Sequence, residues 1–213
     1  MTSITIPNSV RSIGTAAFVN NALSDNVFIY NRKSGGSIDY TSLNSYAGAD
    51  RGTITIPNTV KEIGREAVSY TGIRGITIPD SVTSIGAYAF RHNRFTSVTI
   101  PDSVTNIGDY AFDHNDLTNV TISDGVTSIG EFAFSYNELK NVTIPSSVTS
   151  IGSDAFNENK LISVTIEGKS NVTEFIDIIN NVNYTSSQWK YARIFGWAPG
   201  YSDANIIWTG KSS

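Results

Sequence analysis

From Thr53 onward the apolar positions of this chain follow a rhythm of two inside a much longer rhythm of 22 residues. Val98 and Ile100 flank Thr99, and the same apolar–Thr–apolar triplet is centred on Thr55, Thr77, Thr121, Thr143 and Thr165. Alternation of this kind predicts a short strand with both apolar side chains on one face and threonine on the other. The longer period sets Ile78, Ile100, Ile122, Ile144 and Ile166 each 22 beyond the last, counting from Ile56. A fixed period of this length marks a solenoid, in which no repeat can bury its apolar face without its neighbours.

Two consecutive blocks show the pattern: SVTSIGAYAFRHNRFTSVTIPD from Ser81 and SVTNIGDYAFDHNDLTNVTISD from Ser103. After the strand, Pro101 has no N–H to give and ends the ladder. Val104 and Ile107 return to the core. Gly108, with Gly86, Gly130 and Gly152, suits a backbone that a side chain would hinder. Ala111 and Phe112 then supply one small and one large filler, on what reads as a single helical turn, and Leu117 closes the circuit. About seven apolar residues per block thus face inward, each worth roughly 1.5 to 3 kcal/mol if fully buried. Asn21, Asn93, Asn115, Asn137 and Asn159 share one position, and a buried amide there can bond to backbone of its own turn and of the next rung. Thr71 and Val68 replace the usual Asn and Phe, so that rung is expected to be the least regular.

Two stretches break the period. The island NRKSGGSIDYTSLNSYAGADRG from Asn31 to Gly52 reads as a turn at Ser34, Gly35 and Gly36 and a short helix from Asp39 to Ala47 stopped by Gly48. It is either a recognition feature or a tolerated insertion. Residues 168–213 hold all three tryptophans, an amphipathic pattern from Asn171 to Asn181 that suits a helix, and Ile206 and Ile207, which suit a final strand. This segment is expected to cap the open end of a solenoid spanning 1–167. A second reading makes Trp189, Tyr191, Trp197 and Tyr201 a carbohydrate-stacking surface.

The shorthand TIPxSVxxIGxxAFxxNxL resembles the bacterial surface leucine-rich repeats of the BspA-like, or Treponema-type, family, over roughly residues 2 to 30 and 53 to 167. The resemblance implies an α/β solenoid: a right-handed, curved superhelix with a parallel β-sheet on the concave face and short helical or irregular convex segments. It also implies a secreted or cell-surface protein of adhesion or ligand binding, with no catalytic residues. Met1 sits directly on a repeat strand, Ser3 to Ile6, which points to trimmed upstream sequence.

Charge and composition narrow the partners. A net charge of −4 disfavours nucleic acid and anionic membranes, and with no cysteine there is neither a disulfide nor a thiolate zinc site. No apolar run is long enough to span a bilayer, and no signal-peptide pattern opens the chain. Enzyme motifs are missing: there is no GxSxG, no GxGxxG, and only two histidines. No cofactor is expected. His92 and His114 lie one rung apart beside Asp113, but they share a column with Tyr70 and Tyr136, which reads as an exposed position rather than a metal site. Asp102, Asp109, Asp113, Asp116, Asp124, Glu131 and Glu138 make the stretch between Arg94 and Lys140 acidic, a solvated face without a calcium-loop pattern. The most ordered exposed feature is the threonine column itself. It reads as a residue type suited to solvated strands, as a ligand-binding face for a protein or glycan, or as a lattice for ice or mineral. The function expected is a non-enzymatic binding or adhesion module, with a structural spacer as the alternative.

Overall fold

The computed structural model describes residues 5–7, 9–15, 17–18, 23, 26–168 and 206–209. Fourteen strands occur among them, and each regular rung contributes two. The outer strands of successive rungs are β3 (Thr53–Thr55), β5 (Gly75–Thr77), β7 (Ser97–Ile100), β9 (Asn119–Ile122), β11 (Asn141–Ile144) and β13 (Ser163–Glu167). The second strands are two residues long: β4 (Glu62–Ile63), β6 (Ser84–Ile85), β8 (Asn106–Ile107), β10 (Ser128–Ile129) and β12 (Ser150–Ile151). Strands of both columns pair in parallel with their counterparts 22 residues away, as in Val98↔Val120 and Ile107↔Ile129. The second column is a strand where the sequence showed only a return to the core: Ile107 points in while Asn106 points out, a rhythm of two too short to notice.

The expected interior is buried. Val104, Ile107, Ala111, Phe112, Leu117, Val120 and Ile122 of one rung all lie within a single core that runs from Leu43 to Ile166. Phe90, Phe112, Phe134 and Phe156 stack along its axis, with centroids 5.0, 5.2 and 5.3 Å apart. β7 stops at Ile100 before Pro101 and β9 stops equally at Ile122 before Ser123, so the turn ends the strand with or without proline, while β13, paired with β14 through Glu167, runs one residue further. The asparagine ladder also forms. Asn115 donates to the carbonyls of Phe90 and Phe112 at 3.0 and 3.1 Å and accepts from the Phe95 N–H at 3.2 Å, and Asn137 repeats this one rung on. Thr71 joins it through its hydroxyl, which donates to Asn93 Oδ1. Asn21 lies outside the described residues.

Three expectations are corrected. No helix occurs among the described residues, so the α/β class and the helical form of the convex segments are not met there, and the segments between strands are turns and irregular chain. The AYAF segment is instead a pair of turns in which Tyr88, Phe90 and His92 donate their N–H groups to Asp109, Ala111 and Asp113 of the next rung, rather than back along their own chain. This geometry puts two non-glycine residues per rung in the left-handed region, such as Tyr88 (φ 59) and His92 (φ 52). Each placement costs about 1–2 kcal/mol, which the inter-rung bonds offset.

The glycine after each isoleucine serves proximity rather than an unusual dihedral. A Cβ on Gly108 would sit 2.6 Å from the Ala87 nitrogen of the rung before.

The island is not helical either. Ile38–Tyr46 is strand β2, joined to β1 (Phe28–Arg32) by a hairpin in which Lys33 N–H bonds to Ser37 and Gly36 adopts φ 85, as the turn residues suggest. β2 pairs antiparallel with β1 and parallel with β4, and Leu43 occupies the column of Ile63. Hydrogen bonding on both edges outweighs any local helical preference. Tyr46 fills the place the phenylalanines hold in later rungs, with its N–H on Ala67 O as Val68 N–H is on Ala89 O. Burial, aided by Asp50 and opposed by Arg51, pushes its phenol up to about 12.

At the other end β14 (Ile206–Thr209) lies parallel to β13, with Thr165 opposite Ile207, so the expected final strand is present. The helix expected from Asn171 to Asn181 lies outside the described residues.

Candidate functional site

The outer strands place Thr55, Thr77, Thr99, Thr121, Thr143 and Thr165 on one face, in register as Thr55↔Thr77, Thr99↔Thr121 and Thr143↔Thr165. The first five are exposed and Thr165 is half-buried. The hydrogen-bonded ladder is interrupted between β5 and β7 and between β9 and β11, so the column is three bonded pairs and not an unbroken sheet. None of the six hydroxyls has a partner among the described residues. A depression of about 510 Å³ lies along the column, with Thr77, Thr99, Ser97, Asp80 and Asp102 in its lining, which adds carboxylate acceptors to hydroxyl donors and acceptors.

A second threonine column, which sequence reading passed over, behaves differently. Thr83, Thr105, Thr127 and Thr149 donate their hydroxyls to the carbonyls of Lys61, Thr83, Thr105 and Thr127 at 3.0 to 3.3 Å. Its signal was present in the sequence as the TxIG spacing. These side chains tie rung to rung and have their donor committed.

The corner turns carry two aromatic columns. Tyr70, His92, His114 and Tyr136 stack with centroids 4.5, 4.4 and 4.3 Å apart, and Tyr88, Tyr110 and Phe132 stack at 4.7 and 4.8 Å. Arg65 lies over the Tyr88 ring at 4.5 Å. Between the columns, buried Asp113 accepts from Arg91 Nε at 2.7 Å and from the Ser135 hydroxyl, and its Oδ2 lies 3.0 Å from His114 Nδ1. Burial, with the charges of His114 and Arg91, holds the His92 imidazole below its usual pKa, against the pull of Asp113. Among the described residues no group of three or more His, Asp or Glu side chains gathers around a possible metal position. No helix among them is long and apolar enough to cross a membrane. Trp189, Tyr191, Trp197 and Tyr201, the candidate stacking surface, lie outside the described residues.

No match is found among curated proteins. Among solved structures the chain is similar to the pneumococcal vaccine antigen PcpA, with 24% identity, a TM-score of 0.51, and coverage of 68% of this chain and 35% of that one. It is also similar to a leucine-rich repeat protein from Bacteroides capillosus ATCC 29799, with 39% identity, a TM-score of 0.38, and coverage of 41% of this chain and 64% of that one. A third similar structure is a leucine rich cell surface protein from Faecalibacterium prausnitzii A2-165, at 29% identity, a TM-score of 0.38, and coverage of 54% and 38%. The chain therefore spans between about one third and two thirds of the length of these proteins. The similarity to PcpA supports the parallel solenoid. The description "BspA type Leucine rich repeat region" matches residues 1–94 and 61–181 in six copies, and the chain belongs to this family of leucine-rich repeat proteins.

Proposed function

We propose that this chain is a non-enzymatic binding or adhesion module of a bacterial cell-surface or secreted protein, and that it meets its partner through the threonine face. Families of leucine-rich repeats are generally non-enzymatic binding modules, and membership in one supports both the activity and the location. The observation that carries the choice of face is the contrast between its threonine hydroxyls, which have no partner among the described residues, and those of the Thr105 column, which do. A rigid row of hydroxyls and methyls about 4.8 Å apart within each bonded pair offers many weak polar and apolar contacts, as suits a protein or glycan laid along the curved concave face of a right-handed superhelix. Residues 168–213 serve as the end cap, which the pairing of β14 with β13 supports.

The test is binding of labelled protein to an array of glycans and extracellular-matrix proteins, with and without calcium. A saturable signal is expected, and changing Thr99, Thr121 and Thr143 together to Lys is expected to abolish it while the circular dichroism spectrum stays unchanged. Silence across the array would favour a spacer that holds another domain away from the cell.

A further inference from the structure

Away from the threonine face, the corner that leads into the outer strands carries a pocket of about 620 Å³ lined by Arg74, Asn93, Arg94, Thr96 and Asp116. Arg74 and Arg94 come from successive rungs, and the Arg94 N–H bonds to Ile73 O at 2.9 Å, which sets Arg94 beside the residue preceding Arg74. Both are exposed, and neither side chain has a hydrogen-bond or ion-pair partner among the described residues. Arg51 does not line the pocket, and its guanidinium donates to Gly48 O at 3.2 Å. Gly72 (φ 71) has no side chain where the following rungs carry Arg94 and Asp116, and a Cβ there would lie 3.7 Å from Arg51 Cδ. Along that column Glu138 is neutralised by Lys160, which leaves Arg94 and Asp116 without ion pairs. Asn93 only shapes the wall, because its amide is spent on Val68 O, Phe90 O and Ile73 N–H.

We propose that Arg74 and Arg94 bind the anionic group of an acidic glycan. Two guanidinium forks one rung apart suit a carboxylate or sulfate, whose oxygens accept charge-assisted hydrogen bonds from both. Asp116 in the same pocket accepts hydrogen bonds, and the side chains of an oligoglutamate, ending only in carboxylates, have none to donate to it. A sugar ring brings its acid together with hydroxyls, which donate to Asp116 and exchange hydrogen bonds with Thr96. In a chain of net charge −4 such a site is local, so binding depends on these side chains and not on a general positive field. The site is separate from the threonine face and does not rest on it.

Calorimetric titration of the full chain with tetragalacturonate, a heparin-derived tetrasaccharide, neutral galactotetraose and hexaglutamate tests the proposal. Saturable binding is expected to at least one of the two acidic sugars, whether carboxylated or sulfated, and to neither of the other probes. Arg74→Gln with Arg94→Gln should weaken it at least tenfold, whereas Thr99→Val, Thr121→Val and Thr143→Val together should leave it unchanged. Both arginines are exposed, so circular dichroism should show the fold intact in the double variant. No binding to either acidic sugar, undiminished binding by the double arginine variant, or hexaglutamate binding as tight as the sugars would each overturn it.

Discussion

The two threonine columns share a residue type, a 22-residue period and an exposed position, yet they do different work. Thr105 spends its hydroxyl on the carbonyl of Thr83, one rung back, while Thr99, six residues earlier, has no protein acceptor among the described residues. A column that bonds to the next rung strengthens the stack; a column that does not is available to a partner. The asparagine ladder is the buried extreme of the first kind, since each of its amides joins the backbones of two rungs.

The largest effect is therefore expected at the buried end of the comparison. Asn115→Leu strands the Phe95 N–H and the Phe90 and Phe112 carbonyls without their partner, and should destabilise the chain by about 2–4 kcal/mol in urea unfolding. Next come the two threonine columns, measured against each other. Thr105→Val and Thr127→Val should each lose about 0.5–1.5 kcal/mol with their inter-rung bonds, while Thr99→Val and Thr121→Val stay within about 0.5 kcal/mol. Equal losses in both columns would break the distinction.

The smallest effect concerns acid. Threonine does not titrate, so a loss of stability near pH 6 must come from another column, and His92 is placed to cause it. Its folded pKa lies below the unfolded value near 6.5, so the unfolded chain binds more protons in that window and stability falls as pH falls through it. Its charged neighbours are Arg91, His114 and Asp113. His92→Gln should flatten the dependence of the urea midpoint on pH between about 7.5 and 5.5.

Much of this fold could be read from the repeat. The inward residues, the strand around each threonine and the asparagine ladder all follow from local pattern and from the need to bury apolar and satisfy polar groups. The misreadings share a cause. AYAF was expected to be helical because its spacing fits one turn, but neighbouring rungs supply better acceptors, and Tyr88 and His92 take the left-handed conformation to reach them. The island's expected helix from Asp39 to Ala47 is instead strand Ile38–Tyr46, because β1 and β4 offer pairing edges on both sides. The Arg91–Asp113–Ser135 network, buried at Asp113 and Ser135, spans three rungs, one residue from each, and no single block shows it.

By itself the sequence determined what faces the core of each rung, because burial rewards every apolar residue at its periodic position regardless of detail. Only the tertiary structure decided which polar columns are consumed and which are left open. That choice depends on where the carbonyl of the preceding rung falls relative to a hydroxyl 22 residues away, a distance set by stacking and invisible in a pattern that writes both columns with the same letter.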